Sequence, residues 1–133
     1  MGRPVQITFD CDDADRLAAF WAEVLDYVLE TPPDGSATWV EFFIANDLPV
    51  PDDGSISAIV DPAGVGPRLL FMRVPEGKSA KNRVHLDVPA GPTRSQECRR
   101  LVALGATHVR DVDADGNGWI VMLDPEGNEF CLT

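Results

Sequence analysis

Apolar and polar residues alternate along two short segments of the chain, residues 5–10 and residues 83–88. A period of two is typical of a strand that buries one face and leaves the other face polar. The pattern therefore predicts two half-buried strands. Their apolar sets are Val5, Ile7, Phe9 and Val84, Leu86, Val88.

Each alternating segment is followed by a stretch with helical spacing of its apolar residues. Leu17, Trp21 and Val24 recur at intervals of three and four and predict a helix over residues 14–26. A second helix is predicted to end at Leu104, before a glycine that can serve as its C-cap. The side chains expected to face inward from it are Cys98, Leu101, Val102 and Leu104.

Strand-like runs follow each helix, so that the chain contains the same order of elements twice. These runs predict strands at 27–30, 38–44, 56–60, 69–74, 107–112, 118–123 and 128–132. Single helices between groups of strands indicate an α+β fold with mostly antiparallel sheets. We expect one domain over residues 1–133, built from two βαβββ modules at about 4–75 and 82–133. Two curved sheets of this kind form a cup, which is a place for a small molecule.

Size and charge limit the function classes. The 133 residues carry a net charge of −11, which argues against nucleic acid and against an anionic membrane surface. No apolar run approaches the roughly 20 residues that a membrane span needs, and the N-terminal residues lack a secretory signal. Three cysteines without paired spacing favour reduced thiols and a cytoplasmic location.

The polar face of the alternating strands supplies the candidate site. If the apolar residues pack under the helices, the opposite face carries polar residues towards the cup, namely Gln6, Thr8, Asp10, Arg83, His85 and Asp87. On the last strand, the candidates on that face are Glu129 and Cys131. For His85, a metal ligand or general base competes with a hydrogen-bonded wall residue. Glu129 is either a base or ligand or a solvated carboxylate, and Cys131 is either a soft ligand or a small buried apolar residue.

The predicted strand over residues 38–44 adds aromatic candidates. In a strand, Trp39, Glu41 and Phe43 share one face. If that face lines the cup, Trp39 and Phe43 offer stacking surfaces and Glu41 a further carboxylate. The alternative is that these residues pack in the core.

Four motifs in order resemble the vicinal-oxygen-chelate superfamily, in particular its actinobacterial glyoxalase-like branch, which includes bleomycin-resistance-type proteins. The motifs are Phe9-Asp10-Cys11-Asp12-Asp13, Arg83-Val84-His85-Leu86-Asp87, Leu104-Gly105-Ala106 and Asp124-Pro125-Glu126-Gly127-Asn128. The resemblance implies two βαβββ modules, a homodimer and a cup-shaped site. In metal-using members, His, Gln or Glu side chains on the first and last strands of each module hold a divalent ion.

The metal-ligand positions that the resemblance implies are only partly filled by suitable residues. They are expected to fall on Gln6, Arg83 and Cys131, and an arginine has no lone pair to offer a metal. His85 and Glu129 lie two residues from the expected places. A divalent metal on His85 and Glu129 is thus implied, with an incomplete ligand set.

Two functions from different classes follow. The first is a small-molecule lyase or isomerase, distinct from glyoxalase I, that acts on a small oxygenated or aromatic metabolite. Glu129 and His85 would be its acid–base or metal groups, and Gln6, Thr8 and Arg83 would orient the ligand. The alternative is a non-catalytic protein that sequesters an antibiotic. The aromatic residues Trp39 and Phe43 and the net charge of −11 would suit a cationic drug.

Overall fold

The computed structural model describes residues 2–51, 55–113 and 115–133 and has an α+β fold. The chain divides into two compact units, with the boundary between Gly77 and Lys78. Within the described residues, no helix is both long enough and apolar enough to cross a bilayer. The predicted fold class is confirmed, because each unit contains one four-stranded, mostly antiparallel sheet.

The first unit is a sheet covered on one face by a long helix. Its elements are β1 (Ile7–Cys11), α1 (Ala14–Leu25), β2 (Val28–Leu29), α2 (Trp39–Ala45), β3 (Ile56–Val60) and β4 (Leu69–Arg73). The strand order is β1-β4-β3-β2, and β1 is parallel to β4.

The predicted first helix is confirmed as α1. It begins after Asp13, whose carboxylate accepts a hydrogen bond from the Arg16 backbone N–H at 3.1 Å. It presents a buried side that includes Trp21, and the Trp21 ring lies 5.4 Å from the ring of Phe9. The alternation of apolar residues in β1 thus places Phe9 against this helix.

The strand predicted over residues 38–44 is wrong, because this segment forms the helix α2. Thr38 caps the helix: its hydroxyl accepts from the Glu41 N–H at 3.2 Å, while the Glu41 carboxylate accepts from the Ala37 N–H at 3.0 Å. Thr38 and Glu41 have the spacing of a capping box. Trp39 and Glu41 therefore do not share the face of a strand.

The helix α2 covers the face of the first sheet that α1 leaves uncovered. Trp39 packs with the buried side chains of Ile56, Ala58 and Leu70, and its ring lies 5.2 Å from that of Phe42. Positions 39, 42 and 43 are spaced as one side of a helix, and all three are aromatic. The face of the first module that was expected to line a cup is packed by the chain itself.

The second unit repeats the topology of the first. Its elements are β5 (Leu86–Val88), a 3₁₀ turn (Gly91–Thr93), α3 (Arg94–Ala103), β6 (Thr107–Val112), β7 (Trp119–Leu123) and β8 (Glu129–Leu132). The order β5-β8-β7-β6, with β5 parallel to β8, matches that of the first sheet. Of the residues expected inward on the second helix, Cys98 and Leu101 are buried, whereas Val102 and Leu104 are exposed.

The strand register corrects the alignment of the two modules by two residues. Ile7 pairs with Leu69 in the first unit, as Leu86 pairs with Phe130 in the second. Gln6 therefore corresponds to His85. The sequence match had equated Gln6 with Arg83, which lies two residues before His85. The implied first-strand ligand position of the second module thus falls on His85.

The packing of α2 leads to a stability prediction. We expect Trp39→Ala to lower the free energy of unfolding by about 3–5 kcal/mol, because it leaves a cavity in a packed cluster. Trp39 is 8% exposed, whereas Ile44 in the same helix is 63% exposed. The matched control Ile44→Ala should change stability by less than about 0.5 kcal/mol. Urea denaturation measures both, and equal effects of the two variants would contradict the packing of α2.

Candidate functional site

An open pocket of about 430 Å³ lies on the polar face of the second sheet. Strand parity explains its position: Phe130 and Leu132 are fully buried, while Glu129 and Cys131 alternate with them and reach the pocket. Among the described residues, the lining consists of Lys81, His85, Asp87, Arg110, Trp119, Val121, Glu129, Cys131 and Thr133.

Three potential metal-ligating side chains converge in this pocket. His85, Asp87 and Cys131 each offer one ligand atom, and these atoms all lie within 4.8 Å of one another. Asp87 follows His85 by two residues on the same face and pairs with Cys131 across the parallel β5–β8 ladder. The pairing of the two strands thus brings a nitrogen, an oxygen and a sulfur donor together.

Asp87 organises the other two members of this cluster. His85 Nδ1 lies 3.0 Å from Asp87 Oδ1, so Nε2 is the ring nitrogen left for another partner. Burial, and then the charge of Asp87 and its hydrogen bond with the thiol, raise the pKa of Cys131. The thiol is therefore protonated at neutral pH in the absence of a metal, which argues against a role as a nucleophile.

Glu129 shares the pocket but has different partners. One carboxylate oxygen accepts from the Asn82 N–H at 2.9 Å, and the other lies 3.1 Å from Lys78 Nζ. Burial by itself raises the pKa of Glu129, but the hydrogen bonds with Asn82 and Lys78 outweigh it and lower the pKa to about 2. Such a carboxylate stays charged at neutral pH and is a weak proton acceptor. The cluster found among the described residues does not include it.

In the first unit, Gln6 and Thr8 belong to a network centred on Arg68. The Gln6 side-chain oxygen accepts from Arg68 Nη1 at 2.7 Å, and Gln6 Nε2 lies 3.4 Å from Thr8 Oγ1. The same guanidinium pairs with Glu30 at 2.9 Å and lies 5.1 Å from the Trp39 ring centre. The oxygen of Gln6 that would bind a metal is therefore already bonded to a cation.

Three more predicted ligand-binding residues can be placed. Trp39 donates from Nε1 to the Glu30 carbonyl at 2.9 Å, and Glu41 caps α2. Arg83 donates to the Lys81 carbonyl at 3.4 Å and is absent from the pocket lining. Of the predicted site residues, the structure brings together His85, Glu129 and Cys131 in one pocket.

Apart from Asp87, the sequence analysis did not single out five residues of the pocket lining, namely Lys81, Arg110, Trp119, Val121 and Thr133. Asp87 lies on the same strand face as His85, so the alternation already indicated it. Trp119 alternates with buried Ile120 in β7, which is the corresponding signal. Lys81 and Arg110 carry no such signal, because Lys81 precedes β5 and a bulge shifts the register at Arg110.

Comparison with known proteins identifies the family. A family profile described as a glyoxalase-like domain matches residues 6–133. The chain belongs to the glyoxalase-like domain family. This confirms the resemblance to the vicinal-oxygen-chelate superfamily, whereas no curated protein matches the sequence significantly.

Solved structures of the same fold are distant in sequence. The fosfomycin resistance protein FosX from Listeria monocytogenes is 12% identical, with a TM-score of 0.68 over 99% of this chain and 92% of that one. FosX from Mesorhizobium loti is 13% identical, with a TM-score of 0.66 over 99% and 90%. A glyoxalase/bleomycin resistance/dioxygenase family enzyme from Burkholderia phytofirmans is 15% identical, with a TM-score of 0.64 over 96% and 94%. At such identities the likeness shows the fold alone.

The donor atoms of the second unit can be tested against the metal that the family implies. A FosX variant from Listeria monocytogenes was solved with Mn(II) and a dihydroxypropylphosphonic acid. Mn(II) prefers oxygen ligands, whereas imidazole, carboxylate and thiolate together are typical of zinc. The donor set of His85, Asp87 and Cys131 thus fits a divalent ion, and it fits zinc better than manganese.

The contacts of Glu129 lead to a prediction about stability and pH. We expect Glu129→Gln to lower the free energy of unfolding by about 1–2 kcal/mol at pH 7, because the ionised carboxylate binds Asn82 and Lys78. The lowered pKa means that this contribution is present above about pH 4.5 and is lost as the pH falls through about 2.

Chemical denaturation at neutral and acidic pH measures this effect. The difference between wild type and Glu129→Gln should shrink in acid. The exposed Glu76 provides the control, and Glu76→Gln should have little effect at either pH. If Glu129→Gln lowers the free energy of unfolding by the same amount at both pH values, the assigned contacts of Glu129 are contradicted.

Proposed function

We propose that this protein is a lyase or isomerase for a small oxygenated metabolite, with a divalent metal site in its second unit. His85, Asp87 and Cys131 would hold the metal. The observation that carries the proposal is the convergence of their three donor atoms within 4.8 Å at the edge of an open pocket.

The donor set favours zinc, which commonly takes three protein ligands at a catalytic site and leaves a position for water or substrate. When bound, such an ion supplies Lewis acidity, which polarises a carbonyl or hydroxyl oxygen of the substrate. The substrate of such a site is thus a molecule with an oxygen that a metal can bind.

The other pocket residues have supporting roles in this proposal. Asp87 Oδ1 lies 3.0 Å from His85 Nδ1, so these two proposed ligands are already side by side. Trp119 and Val121 form an apolar wall for the carbon skeleton of a ligand. Glu129 provides a fixed negative charge, because its pKa of about 2 keeps it ionised.

The alternative, sequestration of a cationic antibiotic without catalysis, has less support. Its aromatic residues Trp39 and Phe43 pack in the first unit around α2. The pocket of the second unit contains Lys81 and Arg110, whose charges disfavour a cationic drug. A metal-free protein that nevertheless binds such a drug would favour this alternative.

Two further expectations remain part of the proposal. The family resemblance implies a homodimer. The three cysteines are buried and form no disulfide among the described residues, which is consistent with a reducing compartment such as the cytoplasm; they are Cys11, Cys98 and Cys131.

The metal site is tested by titration with zinc. We expect the protein to bind one zinc ion per chain, and we expect His85→Ala and Cys131→Ser each to weaken binding by about a hundredfold or more. His108 is the matched control, because it also pairs with an aspartate, Asp111, at 2.7 Å but lies outside the cluster. His108→Ala should bind zinc like the wild type.

Calorimetry and metal analysis of the purified protein provide the measurement. The absence of stoichiometric binding, or equal affinities in the wild type and in His85→Ala, would rule out this site.

The raised pKa of Cys131 predicts that zinc binding depends on pH. Burial and Asp87 raise this pKa, so the thiol carries a proton that zinc must displace. Below that pKa, the apparent affinity of the wild type should rise with pH by up to about tenfold per unit because of this proton. Cys131→Ser should show a shallower slope. Equal slopes in both proteins would show that the thiol is not a ligand.

A further inference from the structure

Two cationic side chains in the pocket have no carboxylate partner in the described part of the chain. Among the residues that the structure describes, neither Lys81 nor Arg110 forms an ion pair, although both line the pocket. The neighbouring Lys78 differs, because it pairs with Glu129 at 3.1 Å. Lys81 and Arg110 thus present positive charge to a ligand.

A β-bulge accounts for the position of Arg110. The register of β6 against β7 shifts between His108 and Arg110, so that His108 pairs with Met122 and Arg110 pairs with Val121. Paired residues lie on the same face of a sheet, and Val121 lines the pocket. Without the bulge, Val109 would take the place opposite Val121. Bulges often redirect a side chain next to a functional site.

The negative charges of the pocket are already engaged within the protein. Asp87 interacts with His85 Nδ1 and with the Cys131 thiol. Glu129 accepts from the Asn82 N–H and pairs with Lys78. The acidic groups of the lining are therefore satisfied, whereas its two cations face the open space of the pocket.

We propose that the pocket binds a small organic anion, a carboxylate or a phosphonate, whose charged group is held by Lys81 and Arg110. The apolar part of the ligand packs against Trp119 and Val121. This inference rests on the proposed function in that it names the substrate class of the same pocket, but it does not require the metal. The net charge of −11 repels an anion, but Lys81 and Arg110 attract it at short range. The attraction prevails because salt screens the distant charges more than the near ones.

The test compares four aromatic probes that differ mainly in charge. Phenylacetate and benzylphosphonate are anions, phenylacetamide is neutral and phenethylamine is a cation. Calorimetric titration at about 0.15 M salt, where distant charges are largely screened, should show that at least one anion binds about tenfold or more tightly than the amide. The arms with the two anions distinguish a carboxylate ligand from a phosphonate ligand, and a preference for either supports the proposal.

Variants then assign the charge recognition to the two side chains. Lys81→Gln and Arg110→Gln should each weaken binding of the preferred anion by about tenfold and leave binding of the amide unchanged. The control Arg99→Gln removes an exposed cation of α3 that does not line the pocket, and it should have no effect. Circular dichroism of each variant confirms that it is folded.

Three outcomes would overturn the proposal. The first is that the amide or the amine binds as tightly as the anions, and the second is that no anion binds at about 10 mM. The third is that an anion binds only to the zinc-loaded protein and is unaffected by Arg110→Gln and Lys81→Gln, because the metal would then be its partner.

The same titration on metal-stripped protein separates this inference from the proposed function. Binding of an anion that persists without metal and is lost in Arg110→Gln supports the anion site even where the zinc titration fails. Stoichiometric zinc without selective anion binding supports the metal site and overturns the anion site.

Discussion

The period of two along β8 and β5 is the constraint on which the second unit depends. Phe130 and Leu132 are fully buried in the core. Because side chains alternate along a strand, those of Glu129 and Cys131 lie on the opposite face of the sheet. The parallel pairing of β5 with β8 then sets Asp87 beside Cys131. A slip of one residue would exchange the two faces, burying polar groups and exposing the core, so the same burial that stabilises the sheet also fixes the site.

The two modules share one topology but use the free face of the sheet differently. In the first unit, α2 covers that face with Trp39 and its neighbours, and the Arg68 guanidinium occupies the oxygen of Gln6. In the second unit, the described residues between β6 and β7 form no helix, and the position that corresponds to Gln6 holds His85 beside an open pocket. Duplicated topology thus does not imply duplicated chemistry, because a single inserted helix fills one of the two faces.

Periodicity predicted most elements and the parity of the site residues, but it could not decide two points. The segment after Thr38 is so rich in aromatic residues that both a strand face and a helix face are apolar, and only the capping pair Thr38 and Glu41 distinguishes them. The two modules were aligned by sequence similarity, whereas their structural correspondence is set by the residues that pair across the parallel strands. The partner of Glu129 is also beyond a local pattern, because Lys78 is 51 residues away in the sequence.

Asp87 is the central residue of the cluster formed with His85 and Cys131. One carboxylate serves both the imidazole of His85 and the thiol of Cys131, so without a metal each polar group is satisfied by a proton held between protein atoms. In the proposed metal site, the same three side chains would become the ligands once the thiol proton leaves, and no side chain has to cross from one face of the sheet to the other. Lys81 and Arg110 favour that loss, since their charges oppose the effect of burial on the pKa of Cys131.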